Sequence, residues 1–197
     1  MAGIVLIVAG LVLIFFISIF NKLIRLKNQV KNAFTQIDVQ LKRRYDLIPN
    51  LVETAKGYLR HERGTLEAVI TARNSAQHAR EEMKGDPTNS GAMLELQAAE
   101  ATLTGSLGKL FALSENYPDL KGNTTMQQLM EELSSTENRI SFARQHFNDT
   151  CMEYNTAQEV FPNSLVVGFG SFSPAELWQL EGAEAKAAAQ PVKVSFD

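Results

Sequence analysis

The sequence of 197 residues has a single cysteine, Cys151, so no internal disulfide can form and the redox compartment is left open. Prolines are scarce, six in all, which leaves room for long helices between them. Of the three histidines, His61, His78 and His146, none is paired with another His or Cys at metal-ligand spacing. His61-Glu62 resembles the start of a zinc-protease motif, but Thr65 stands where its second histidine belongs. Gly105-Ser106-Leu107-Gly108-Lys109 falls short of a phosphate loop, because its glycines are too close and Leu110 follows the lysine. A formal net charge of −3 carries no nucleic-acid signature. These absences argue against an enzyme, and no catalytic residue, metal or cofactor is expected. The sequons that begin at Asn123 and Asn148 are weak signals in a chain without secretory features.

What is present begins with residues 3–20, an apolar run whose only polar side chain is Ser18. As a helix it spans about 27 Å, close to the hydrocarbon thickness of a bilayer. A buried core helix would carry a polar face, and this run has none. A cleavable signal needs a basic stretch before the run and small residues after it. Met1-Ala2 and Asn21-Lys22-Leu23 supply neither. The run is therefore expected to be an uncleaved anchor. Lys22, Arg25, Lys27 and Lys31 follow it, then Lys42, Arg43 and Arg44, with Asp38 the only acid between Lys22 and Arg44. Basic flanks stay on the cytoplasmic side, which predicts an outside N-terminus and a cytoplasmic domain. Lys22, Arg25, Lys27 and Lys31 are also placed to meet anionic headgroups.

Behind the anchor, apolar positions step by three and four through Leu23, Leu26, Val30, Phe34, Ile37, Leu41, Tyr45 and Ile48. Pro49 removes a backbone donor and restricts Ile48, so a kink or a reversal is expected there. The stripe resumes almost in phase at Val52, Ala55, Leu59, Leu66, Val69 and Ile70, and the residues alone leave the two readings open. Breakers at positions 85–91 separate a second helix, ending near Lys84, from a third over about 92–115. That helix has an apolar stripe, Leu96, Ala99, Leu103, Leu107 and Leu110, and a stripe of small residues, Ala98, Ala101, Gly105, Gly108 and Ala112. Each interior glycine costs about 1 kcal/mol relative to alanine, so Gly105 and Gly108 are candidate contacts with a neighbouring helix, in the bundle or in another copy. After a connection containing Tyr117 and Pro118, Thr124 and Gln127 fit a capping box at the start of a long fourth helix to about Val160. Its stripe, Met126, Met130, Leu133, Ile140, Phe147, Cys151 and Tyr154, includes the charged Glu137 and Arg144. Those two need partners, in each other's turn or at Asp38, Arg43 or Arg44, and a register-setting ion network is the expected role. On this stripe Cys151 is inert core. Ser173-Pro174-Ala175-Glu176 fits a second capping box before a short alanine-rich helix. Val192, Val194 and Phe196 alternate in the tail, as a frayed end or a clip on a neighbouring copy.

The expected fold is all-α: an anchor over 1–21, an antiparallel four-helix bundle over 22–162, and a short helix and extended tail over 163–197. Residues 37–58, with His61-Glu62 just beyond, resemble the signature of the bacterial LemA family. So do residues 115–121, Glu137-Asn138-Arg139-Ile140, Ala143-Arg144, Asn148, Tyr154-Asn155, Phe161-Pro162 and residues 191–196. Phe147 departs from the tyrosine usual at that position. The resemblance implies a membrane-tethered four-helix bundle and favours a reversal near Pro49. It supplies no biochemical activity. Family members are often encoded near HtpX-type membrane metalloproteases or other envelope proteins. Two functions stand as expectations. One is a non-enzymatic oligomeric scaffold or assembly factor at the cell envelope, with the bilayer and further copies of the chain as partners. The other is an adaptor of a membrane protease or another envelope membrane protein. For the adaptor, Asp38, Arg43, Arg44, Tyr45, Asp46, Pro49, Asn50, Tyr117 and Pro118 form the docking surface, and the same residues have register-setting as the competing role.

Overall fold

The first helix, α1 (Ala2–Lys56), runs unbroken for 55 residues, about 82 Å at 1.5 Å per residue. Its start is bare: between Ile4 and Ile17 the large apolar side chains, Phe16 apart, are 48–73% exposed. Such a surface far exceeds the apolar patches of soluble monomers, and a bilayer is the solvent that suits it. From Ile19 onward one side of the same helix is buried, through Leu23, Leu26, Val30, Phe34, Ile37, Leu41, Tyr45, Ile48, Leu51 and Ala55. Anchor and bundle thus share one rod. The computed structural model describes residues 1–170 and 172–179.

The chain does not reverse at Pro49. α1 continues through it for two further turns and ends before Gly57. Pro49 is exposed, so its ring displaces no core contact. The donor it lacks would have bonded the Tyr45 carbonyl, four residues back. Arg73 Nε reaches across from the second helix and donates to that carbonyl at 3.2 Å. The orphaned acceptor is satisfied, and the unbroken apolar phase carries the helix on.

α2 (Arg63–Met83) runs back along α1, with Arg73 at Tyr45 and Arg80 at Asp38. A turn in which Asp86 Oδ1 accepts from the Thr88 amide (3.1 Å) and hydroxyl (2.7 Å) leads into α3 (Ser90–Ser114), capped by Asn89. The single turn α4 (Pro118–Lys121) precedes α5 (Thr124–Glu159). The cap of α5 is Asn123, whose side chain accepts from the Met126 amide at 2.9 Å, and not Thr124. Asn is the stronger N-cap, and it starts the helix one residue earlier than a Thr124 cap would. Gln127 instead donates to the Lys121 carbonyl at 2.8 Å.

α5 is antiparallel to α1. Phe34 faces Phe147 and Arg44 pairs with Glu137, so ten residues up one helix match ten down the other. Glu159 therefore falls level with Lys22, where the anchor begins. There α6 (Asn163–Val167) turns the chain against α1. Phe169 meets Phe16, and Phe172 meets Phe20, in edge-on contacts at 5.6 and 5.4 Å. Gly170 permits this closure, since a Cβ there would lie 2.4 Å from the Phe172 ring.

Residues 173–179 are not helical, which corrects the helix expected from Ser173-Pro174. Phe172, Ala175 and Trp178 are buried and hold the segment down at every third residue. Among the described residues there is no strand. The alanine-rich stretch and the tail residues Val192, Val194 and Phe196 lie outside them. The fold is all-α, an anchor helix continuous with an up-down-up-down bundle of α1, α2, α3 and α5.

Candidate functional site

The bundle holds its most unusual chemistry at mid-height, where α1, α3 and α5 meet. Arg44 and Glu100 are 3% and 2% exposed. Arg44 Nη1 lies 3.1 Å from Glu100 Oε2 and 2.8 Å from Glu137 Oε2, and Nη2 donates to Thr104 Oγ1 at 2.8 Å. The Tyr45 hydroxyl donates to the other Glu100 oxygen. Burial pushes the Glu100 carboxyl above its usual range, against the opposing pull of Arg44 and the Tyr45 hydrogen bond. The Tyr45 phenol is raised too, by burial first and then by the Glu100 charge. This is a closed network in which each charge has a partner, as burial of ions requires. One turn-pair nearer the anchor, Arg80 Nε lies 2.6 Å from Asp38 Oδ1, tying α2 to α1.

The stretch from Asp38 to Asn50 thus divides by helix face. Asp38, Arg44 and Tyr45 turn inward. Arg43 is exposed and pairs with Glu132 at 2.6 Å, and Asp46, Pro49 and Asn50 face solvent. Tyr117 and Pro118 lie at the end of the bundle away from the anchor, the half-buried Tyr117 beside the exposed Pro118. Lys22, Arg25 and Lys31 are exposed and Lys27 half-buried, all within the first turns past the anchor. Lys27 and Lys31 also face Asp86; partial burial raises that carboxyl, but the Thr88 hydrogen bonds and the two lysines bring it below its ordinary value. The small residues of α3, Gly105 and Gly108 included, are exposed, and among the described residues nothing beyond the helix's own adjoining backbone comes within 4 Å of a Cβ placed at either glycine. The close approach they permit is not made inside the bundle. Arg144 also acts on the Arg44–Glu100 network, its charge favouring the ionised Glu100 carboxylate. Its guanidinium stacks 4.5 Å from the centre of the Trp178 ring, a cation–π contact.

That contact belongs to a second feature, a backbone-reading slot between α3 and α5. Asn148 donates to the Trp178 carbonyl (2.9 Å) and accepts from its amide (2.8 Å). Asn155 does the same with Ala175, at 2.9 and 2.8 Å. Gln97 accepts from the Gln179 amide and donates to the Leu177 carbonyl, at 3.0 and 3.2 Å. Seven residues of helix rise about 10.5 Å, and three residues of extended chain span nearly the same, so the two asparagines match positions 175 and 178 only if the segment is drawn out. Glu100 and Gln97 are missed by charge and motif reading, although both sit at core spacing beside Leu96 and Leu103. Among the described residues no three His, Cys, Asp or Glu side chains gather as a metal site, and the thiol of Cys151 is buried, its pKa pushed up to about 12.

The comparisons with known proteins agree with this architecture. Magnetosome protein MamQ of Magnetospirillum gryphiswaldense is 24% identical over 171 residues, covering 76% of this chain and 62% of that protein. Protein LemA of Metamycoplasma hominis is 26% identical over 136 residues, 69% of this chain and 58% of that one. Magnetosome protein MamQ 2 of Paramagnetospirillum magneticum is 22% identical over 178 residues, 81% and 64% respectively. The chain therefore spans about three-fifths of the length of the curated relatives it matches. The family model described as LemA family matches residues 33–196, from within α1 to the tail, and this chain belongs to that family.

Proposed function

We propose that the protein is a non-enzymatic scaffold, anchored in the bacterial inner membrane with its bundle in the cytoplasm, whose copies assemble side by side. One observation carries the reading. α3 carries two interior glycines, Gly105 and Gly108, on an exposed face that no other element among the described residues approaches. At about 1 kcal/mol each relative to alanine, that loss calls for a compensating contact from outside the chain. Parallel anchors would present the same face of every copy at the same height. The buried ion network fits a role in fixing helix register, since Arg44 and Glu100 are closed to any substrate. The basic residues past the anchor favour the cytoplasmic placement. Relatives named both as LemA and as magnetosome proteins fit a structural part used in different settings. No comparison favours the protease-adaptor alternative.

The test is cross-linking of the full chain in its membrane, with Gly105→Leu/Gly108→Leu alongside. The wild type should give discrete multimers, and the variant should lose them while keeping its helical circular-dichroism spectrum. Multimers unchanged in the variant would remove this face from the assembly.

A further inference from the structure

The end of α5 returns the chain to the anchor, and the stretch beyond it is unlike the rest of the bundle. No charged residue occurs between Glu159 and Glu176. Within this stretch Phe161, Leu165 and Phe169 stand 79%, 61% and 79% exposed. They succeed one another at intervals of four residues, while Asn163 and Val166 turn inward. Three large apolar side chains exposed in a stretch without a charged residue form a face that is unpartnered among the described residues.

The fold fixes the height of this face. Glu159 is level with Lys22 by the antiparallel pairing of α5 with α1. The chain then continues toward the anchor until Phe169 packs on Phe16. Phe16 precedes Lys22 by six residues, so it lies about 9 Å along the helix toward the lipid. Gly170 and the Phe172–Phe20 contact hold the returning segment at that depth. An apolar surface seated about 5–10 Å inside the headgroup boundary is the geometry of an interfacial membrane element.

We infer that residues 160–170 form a second membrane contact, an apolar wedge of Phe161, Leu165 and Phe169 that enters the cytoplasm-facing leaflet beside the anchor. The occupant is lipid, because the face is continuous with the bare surface of the anchor and is tied to it by two ring contacts. The wedge gives the rod a second point of attachment. A single helix leaves the bundle free to tilt and spin about its axis; a wedge on one side fixes which face of α1 points along the membrane. The inference rests on residues 3–20 lying in lipid.

Site-directed spin labelling of the full chain in liposomes tests it. The native thiol, Cys151, is buried, so labels attach at introduced cysteines alone. Labels go on Phe161→Cys, Leu165→Cys and Phe169→Cys, with Leu11→Cys in the anchor and Phe142→Cys as controls. Phe142 is 74% exposed but lies well down α5. Collisions with apolar oxygen and with a water-soluble nickel chelate report depth. Labels at 161, 165 and 169 should favour oxygen, less than at 11 but opposite to 142. Labels as wet as that at 142, with 11 deep, would overturn the wedge and leave the anchor standing. Labels shielded from both reagents and broadened by a nearby spin would overturn it too, by placing a second copy there instead. A wet label at 11 would overturn both wedge and anchor.

Discussion

Replacing Arg44 by methionine is the sharpest probe of the ion network. Methionine keeps the unbranched bulk and removes the charge that faces Glu100. Glu100, 2% exposed, must then shed its own charge to remain folded. Protonating a carboxyl of ordinary pKa at about pH 7 costs roughly 3.7 kcal/mol, from about 2.7 pH units at 1.36 kcal/mol each. That agrees with the ~3–5 kcal/mol expected for breaking a buried pair from one side. The sign of the pH dependence is set by the direction of the shift. A carboxyl whose folded-state pKa is raised stabilises the fold most in acid and loses that contribution as pH rises. The wild type already tends that way, because burial raises Glu100. Without Arg44 the rise is larger, so the variant's deficit grows with pH. Tyr45 remains on Glu100 in the variant, and Glu137 and Arg144 still face the site from α5. Denaturation in mild detergent, tracked by far-UV circular dichroism, should give a deficit of about 4 kcal/mol near pH 7, shrinking to ~1–2 near pH 5. Adding Glu100→Gln should recover most of the loss at the higher pH. A deficit equal at both pH values, or below ~0.5 kcal/mol near pH 7, would refute the reasoning.

Three named contacts give further expected outcomes. Asn148→Leu removes both hydrogen bonds to Trp178 and should cost about 1–3 kcal/mol; emission from the sole tryptophan should shift to the red as it leaves the core. An unshifted spectrum with unchanged stability would mean the slot does not hold residues 172–179. Arg73→Ala should cost about 1–3 kcal/mol by orphaning the Tyr45 carbonyl, and much less in a Pro49→Ala background, where the restored amide takes that carbonyl. Additive effects in that double-mutant cycle would separate Arg73 from the proline. With its pKa near 12, Cys151 should react with a thiol reagent at about pH 8 on the order of 10³-fold more slowly in the folded protein than after denaturation. Equal rates would contradict its burial.

The helices are legible in the sequence because burial repeats at helical spacing. Every position from Leu23 to Ile48 on the α1 stripe is buried, and so are Ile140, Phe147, Cys151 and Tyr154 on α5. Pro49 misleads because proline chemistry is local whereas the remedy is distant: Arg73 is 24 residues further on, and no pattern near Pro49 announces it. Glu137 is legible as a charge on a core face that needs a partner, and Arg44 is that partner. Glu100 hides in plain order among leucines, where a carboxylate at core spacing is the signal to heed. Asn148 and Asn155 are visible two helical turns apart, yet their role depends on where residues 172–179 cross α5. Proline and serine at 173–174 mimic a helix start, and the paired amides draw the chain out instead. The oligomer contacts proposed at Gly105 and Gly108 rest on exposure that the fold provides and on partners that lie beyond one chain.

The most direct measurement of the central claim is a count of protomers in native-membrane nanodiscs. Native mass spectrometry of the full chain, extracted without detergent, reads it. The scaffold predicts particles holding several copies at a fixed number, persisting on dilution. A population of single copies at micromolar protein would contradict it.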